Sequence, residues 1–205
     1  MVSTVKKNRL IFEFVLIYLL IPIILFFIKS KIAIFLVLIS IFILSIFLLN
    51  KDQKFKFNNL KTKIHWKLCI ILTILFFVTI YIYTFFLDQN LLFKFPLKHF
   101  FLWLVVIIFY PFLSVVPQEF IFRVLFFHRY SPLFKNRIDC SIIINTFIFS
   151  YSHLVFSNFH AILITTIASP LFAWAYIKRS FATCIILHSI GGQLIFTIGL
   201  GKYFF

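Results

Sequence analysis

The chain has 205 residues, of which 63% are hydrophobic and only 12% charged, with 33 Phe. A globular domain has about 45–50% apolar and about 25% charged residues, so too few polar side chains are present to clothe such a core in water, and a polytopic membrane protein remains. The excess of 20 Lys and Arg over 5 Asp and Glu, formally +15, suits loop orientation and anionic lipid heads. No nucleic-acid partner is expected, because no basic stretch forms a folded domain.

In chain order, apolar runs lie at 10–28, 32–49, 68–87, 99–127, 141–157, 159–177 and 180–199. All but the fourth approach the roughly 20 residues that cross a bilayer as a helix. The expected fold is therefore all-α, a bundle of about seven transmembrane helices. A fourth helix of that length measures about 44 Å, more than the hydrocarbon layer. Pro111 and Pro117 each lack a backbone donor and mark where it kinks or breaks; the alternative is two half-membrane segments meeting near Pro117. No cleavable signal is expected, because the first run is long and no small-residue site closes it. Cys69, Cys140 and Cys184 lack CxxC spacing and read as small buried hydrophobes.

Orientation follows from the basic residues. Lys6, Lys7 and Arg9 precede the first run, and six lysines from Lys51 to Lys67 fill the loop after the second. Arg129, Lys135 and Arg137 follow the fourth run, and Lys178 and Arg179 the sixth. The alternate connections carry only Lys29, Lys31, Lys94, Lys98 and Lys202. This pattern puts the N-terminus in the cytoplasm and the C-terminus outside. Segment 50–67, where Lys alternates with Phe57, Leu60, Ile64 and Trp66, is expected to be a solvated loop with a lipid-contacting face.

An ionisable side chain at the centre of a membrane helix costs at least about 2.5–3.5 kcal/mol, so each one asks for a reason. Glu13, Glu119, Arg123, His153 and His188 fall inside the runs. Glu13 lies four residues after Arg9, and an interfacial pair accounts for it. Glu119 and Arg123 are also four apart, acid first, so they can meet on one helix face and lower the cost of burying both. A self-neutralising pair and a working site are both open readings of them. Gln118 stands just before, after Pro117, where first-turn amides are left free to hold a carboxylate or a water. His153 has Phe149 one turn earlier and Asn145 two turns earlier; His188 is followed by Gly191 and Gly192. At 1.5 Å per residue, Glu119 lies about 15 Å from Arg129, His188 roughly 14 Å from Arg179 and His153 about 21 Å from Asp139. One carboxylate and two imidazoles at a shared depth can hold, orient and deprotonate a water. A metal would need these same ligands without an HExxH or Cys/His cluster, so no cofactor or metal is expected. A proton relay fits buried Glu and His but lacks inverted repeats, and serine chemistry lacks a GxSxG.

The order Gln118-Glu119-xxx-Arg123, then Phe149-xxx-His153, then His188-Ser-Ile-Gly-Gly192 resembles the CPBP family, the CAAX proteases and bacteriocin-processing (Abi) proteins that include the Ras-converting enzyme. Its pattern is EExxxR, FxxxH and Hxxx(Asn/Asp) on successive membrane helices. The resemblance covers about residues 95–200 and divides the chain into three N-terminal spans with the basic loop, 1–94, and a protease-like core, 95–205. It implies an intramembrane glutamate-type endopeptidase. Glu119 and His153 would activate water, Arg123 would be the motif arginine, and His188 would be an oxyanion donor. Two positions depart from the pattern. Gln118 stands where the family has its first glutamate, and an amide has no useful basicity, so the base falls to Glu119. Gly192 stands where the family has Asn or Asp; Gln193 could supply an amide but projects about 100° away.

The leading expectation is a peptidase acting on a membrane-associated peptide or protein, embedded in a bacterial plasma membrane. The alternative is a non-proteolytic member of the family serving as a membrane scaffold or immunity protein. Neither substrate nor oligomeric state is written in the motifs.

Overall fold

The computed structural model describes residues 4–134 and 137–204, which form helices joined by short connections. Lys135 and the side chain of Lys6, both used for orientation above, lie outside the described residues. Among the described residues, seven helices are long and apolar enough to cross a membrane. They are α1 (Lys7–Ile28), α2 (Lys31–Asn50), α3 (Trp66–Leu87), α4 (Phe100–Phe134), α5 (Ile138–Phe156), α6 (Phe159–Lys178) and α7 (Phe181–Ile198). The protein is a polytopic helical bundle and an integral membrane protein, as the apolar runs imply. Large side chains such as Phe86 and Phe101, 83% and 82% exposed, are at ease only against lipid.

Backbone groups inside a bilayer must be satisfied by the chain itself, and the helix ends show how. Ser30 Oγ accepts from Ala33 N at the start of α2, and Ser180 Oγ from Thr183 N at the start of α7. Asn158 Oδ1 accepts from the amides of His160 and Ala161 at the start of α6. These are N-caps in the ordinary sense. Gly199 ends α7 at φ +142°, and a Cβ there would lie 2.3 Å from the Leu91 carbonyl oxygen, so only glycine fits.

The fourth span does not break. It runs 35 residues without interruption, but its winding changes at the prolines. A π-helical stretch covers Pro111–Val115, a short α segment Val116–Glu119, and a second π-helical stretch Phe120–Tyr130. Each proline removes one amide from the ladder, and the helix re-forms its hydrogen bonds over a wider turn instead of ending. Such π turns are uncommon and often sit at functional positions.

Two compact units make up the chain: the residues up to Asn59 with Gln118–Trp174, and Leu60–Pro117 with Ala175–Phe205. In the first, Tyr18 is ringed by Phe14, Phe122, Phe126 and Tyr130 at centroid distances of 5.2 to 6.0 Å. Its buried hydroxyl donates to the Ile121 carbonyl at 2.7 Å. Glu13 pairs with Arg9 at 3.0 Å, as its spacing suggested, and also with Arg129 at 2.7 Å, a partner that no local spacing announces.

In the second unit the end of the basic loop is strapped to the start of α7. The Phe181 amide donates to the Lys61 carbonyl, Ser180 Oγ to the Lys63 carbonyl at 2.6 Å, and the His65 amide to Thr183 Oγ1 at 3.1 Å. The first half of α4 lies along α7 through Trp103 Nε1, which donates to Thr197 Oγ1 at 3.0 Å.

Candidate active site

In the first unit, Glu119 and Arg123 are both fully buried and pair through Arg123 Nε and Glu119 Oε2 at 3.1 Å. The remaining guanidinium nitrogens are also engaged. Nη1 donates to Asn145 Oδ1 and Nη2 to Ser169 Oγ at 3.3 Å. Asn145 in turn donates through Nδ2 to the Phe122 carbonyl at 2.5 Å, so this amide joins α5 to the π-helical stretch that carries Arg123. A charge in a low-dielectric interior is tolerated when it is paired and hydrogen-bonded, and Arg123 has a carboxylate for its charge and hydrogen bonds from both terminal nitrogens.

Phe149 touches both motifs. The Arg123 guanidinium carbon lies 4.8 Å from its ring centroid, a cation–π contact. The imidazole of His153 lies 4.7 Å from the same ring. His153 is 8% exposed, and its Nδ1 is 2.7 Å from the Phe149 carbonyl oxygen. A carbonyl can only accept, so Nδ1 carries the proton. In the neutral ring the lone pair is then on Nε2. The residues spaced as FxxxH therefore do two jobs: the backbone of Phe149 sets the tautomer of His153, and its ring contacts both that imidazole and the arginine. Gln118 is half-buried, one residue before Glu119.

His188 belongs to the second unit and is 6% exposed. Its Nε2 lies 3.3 Å from the Tyr110 hydroxyl. Gly192, one turn on, has Tyr110 in the space a side chain would need: a Cβ would lie 2.3 Å from both Tyr110 Cε1 and Oη. Gln193 donates through Nε2 to the Ile107 carbonyl at 2.8 Å. In an α-helix that carbonyl would accept from residue 111, which is Pro111 and has no N–H. The amide of Gln193, considered above as a spare donor, is spent on the acceptor that the proline orphans.

Outside the spans, Asp52 lies 3.2 Å from His128 Nε2. Burial pushes its carboxyl upward, but the Lys54 amide and the His128 ring outweigh that and hold it below the usual carboxylate value. Among the described residues, no group of three or more His, Cys, Asp or Glu is placed to hold a metal ion.

Sequence reasoning named Glu119, Arg123, His153, His188 and Gln118. Structure joins the first three through Phe149 and Asn145 within one unit, and sets His188 in the other. It adds Ser169 and Tyr110, which had no signal in any motif. Asn145 was visible only as a polar residue two turns before His153.

A helical membrane protein with buried Glu–Arg and His sites is the class these features define. Residues 99–191 match the model of the Rce1-like family, described as type II CAAX prenyl endopeptidases, so the likeness carried by the three motifs holds for this segment of the chain. No curated protein and no solved structure matches the chain.

Proposed function

We propose that this chain is an intramembrane endopeptidase of the CAAX-protease type, with Glu119 and His153 activating the attacking water. The observation that carries this reading is the Nδ1 hydrogen bond of His153, which leaves its Nε2 as the basic atom. The family match over residues 99–191 supports the reaction class. A water hydrogen-bonded to Glu119 and His153 Nε2 gives up a proton as its oxygen adds to a peptide carbonyl. Donors preorganised in a dry site stabilise the oxyanion, the role the motif order gives to His188. Collapse returns the proton to the leaving amine. Arg123 neutralises Glu119 and fixes its place; Gln118 contributes hydrogen bonding, not basicity. The substrate is a membrane-associated peptide, a prenylated C-terminus being the first candidate, and the host is a bacterial plasma membrane with the N-terminus in the cytoplasm.

The test is cleavage of a farnesylated CAAX peptide by the full-length protein in liposomes. General acid–base groups contribute about 10²–10⁴-fold, so Glu119→Gln and His153→Ala should each lose at least 10²-fold in kcat. Variants that cleave as fast as wild type overturn the assignment. A second reading, a non-proteolytic scaffold, is favoured by the complete burial of the Glu119–Arg123 pair and by Gln118. It predicts no cleavage by wild type, and a cellular phenotype that survives Glu119→Gln.

A further inference from the structure

His188, Gly192 and Phe196 follow one another at four-residue intervals on α7, so they present a single stripe. All three meet the same side chain. Tyr110 places its hydroxyl 3.3 Å from His188 Nε2, its ring edge in the hollow over Gly192, and its ring centroid 5.3 Å from Phe196 in an edge-to-face contact. Its own helix is held in register by Trp103 on Thr197 and by Ile107 under Gln193. A chance contact does not need a glycine cut to the shape of a ring and a carbonyl repaired one turn away.

We propose that Tyr110 is a positioning residue for His188, supplying from α4 the polar group that is missing at Gly192. This role rests on the peptidase reading above. The proton count gives it content. A neutral imidazole and a phenol hold one N–H and one O–H between them, and their mutual hydrogen bond consumes one. Whichever group donates, the direction of the hydroxyl and the tautomer of His188 are set together. Without the hydroxyl, that coupling to α4 is lost. Hydrogen bonds that orient a working imidazole are worth about 10–100-fold where they have been measured on metal-bound histidines, and a similar loss is expected here.

The experiment compares wild type, Tyr110→Phe, Tyr110→Ala and Tyr110→Ala/Gly192→Asn in liposomes with the farnesylated CAAX peptide. Tyr110→Phe keeps the ring and removes only the hydroxyl, so kcat should fall about 10–100-fold with KM and the melting temperature unchanged. An unchanged kcat overturns the proposal. Should Tyr110→Phe fail to fold, Gly192→Ala serves instead: its methyl displaces the ring from His188, and the same loss of kcat is expected, wild-type kcat again overturning it. Tyr110→Ala opens the hollow, and adding Asn at 192 returns a polar group to it. Recovery of at least tenfold over Tyr110→Ala supports the role, and a double variant no faster than Tyr110→Ala overturns it. A wild type no faster than Glu119→Gln sinks the peptidase reading and this role with it; an active wild type with an equally active Tyr110→Phe sinks only the role of Tyr110.

Discussion

The two polar sites solve the problem of burial in lipid by opposite means. Around Glu119 the solution is electrostatic: a full negative and a full positive charge neutralise each other, and Asn145, Ser169 and Phe149 complete the shell of the arginine. Around His188 no formal charge is needed. Its tyrosine partner is placed by packing, through the hollow at Gly192 and the Pro111–Ile107–Gln193 repair. The lesson is that a charge in a membrane must be answered group by group, whereas a neutral donor needs only a cavity of the right shape. The first site should therefore fail through stability when one partner is removed, and the second through geometry.

Removing Arg123 is the hardest blow to that contrast. Breaking a buried ion pair strands the other charge at a cost of about 3–5 kcal/mol, so Arg123→Ala should unfold in detergent at a much lower temperature than wild type. A melting temperature within a degree or two of wild type would mean that Glu119 is not held by charge at all. Gly192→Ala comes next. Its Cβ, 2.3 Å from Tyr110, should cost about 1–3 kcal/mol as overpacking, read as a lowered melting temperature; a neutral result would show that the hollow is slack.

Gln193→Leu leaves the Ile107 carbonyl without its donor. An unsatisfied buried acceptor costs about 1–3 kcal/mol, and the low end is expected because water or a neighbouring turn can relieve it. Faster hydrogen exchange in the turn around Pro111 would be the accompanying sign. The smallest effect belongs to Asp52, outside the spans. Its folded carboxyl sits below its ordinary value, so its contribution is present at neutral pH and is lost as pH falls below that value and through the folded one. Such partly exposed pairs are worth under about 1 kcal/mol. The stability gap between wild type and Asp52→Asn should be small at pH 7 and vanish in acid; a gap that widens in acid would reverse the sign.

The legible part of the site was whatever one helix carries by itself. Glu119 and Arg123 lie four apart, Phe149 and His153 likewise, and the helical repeat turns that spacing into contact. Arg129 on Glu13, Asn145 on Arg123 and Tyr110 on His188 join residues 116, 22 and 78 positions apart, and no spacing rule reaches so far. Pro111 and Pro117 were flagged correctly: the long fourth span is consistent with the expected kink, its winding changing within one continuous helix, and the alternative of a break does not occur. Whether a helix meets a lost amide by ending or by widening depends on what packs against it.

Composition and apolar run length determined the all-helical, membrane-spanning class and the number of spans, because the thickness of hydrocarbon fixes how many apolar residues a crossing needs. Tertiary packing alone decided which carbonyl received the amide of Gln193, which acceptors meet the terminal nitrogens of Arg123, and why residue 192 has no side chain. Those choices belong to side chains that meet across helices, where the partner is set by three-dimensional proximity and not by distance along the chain.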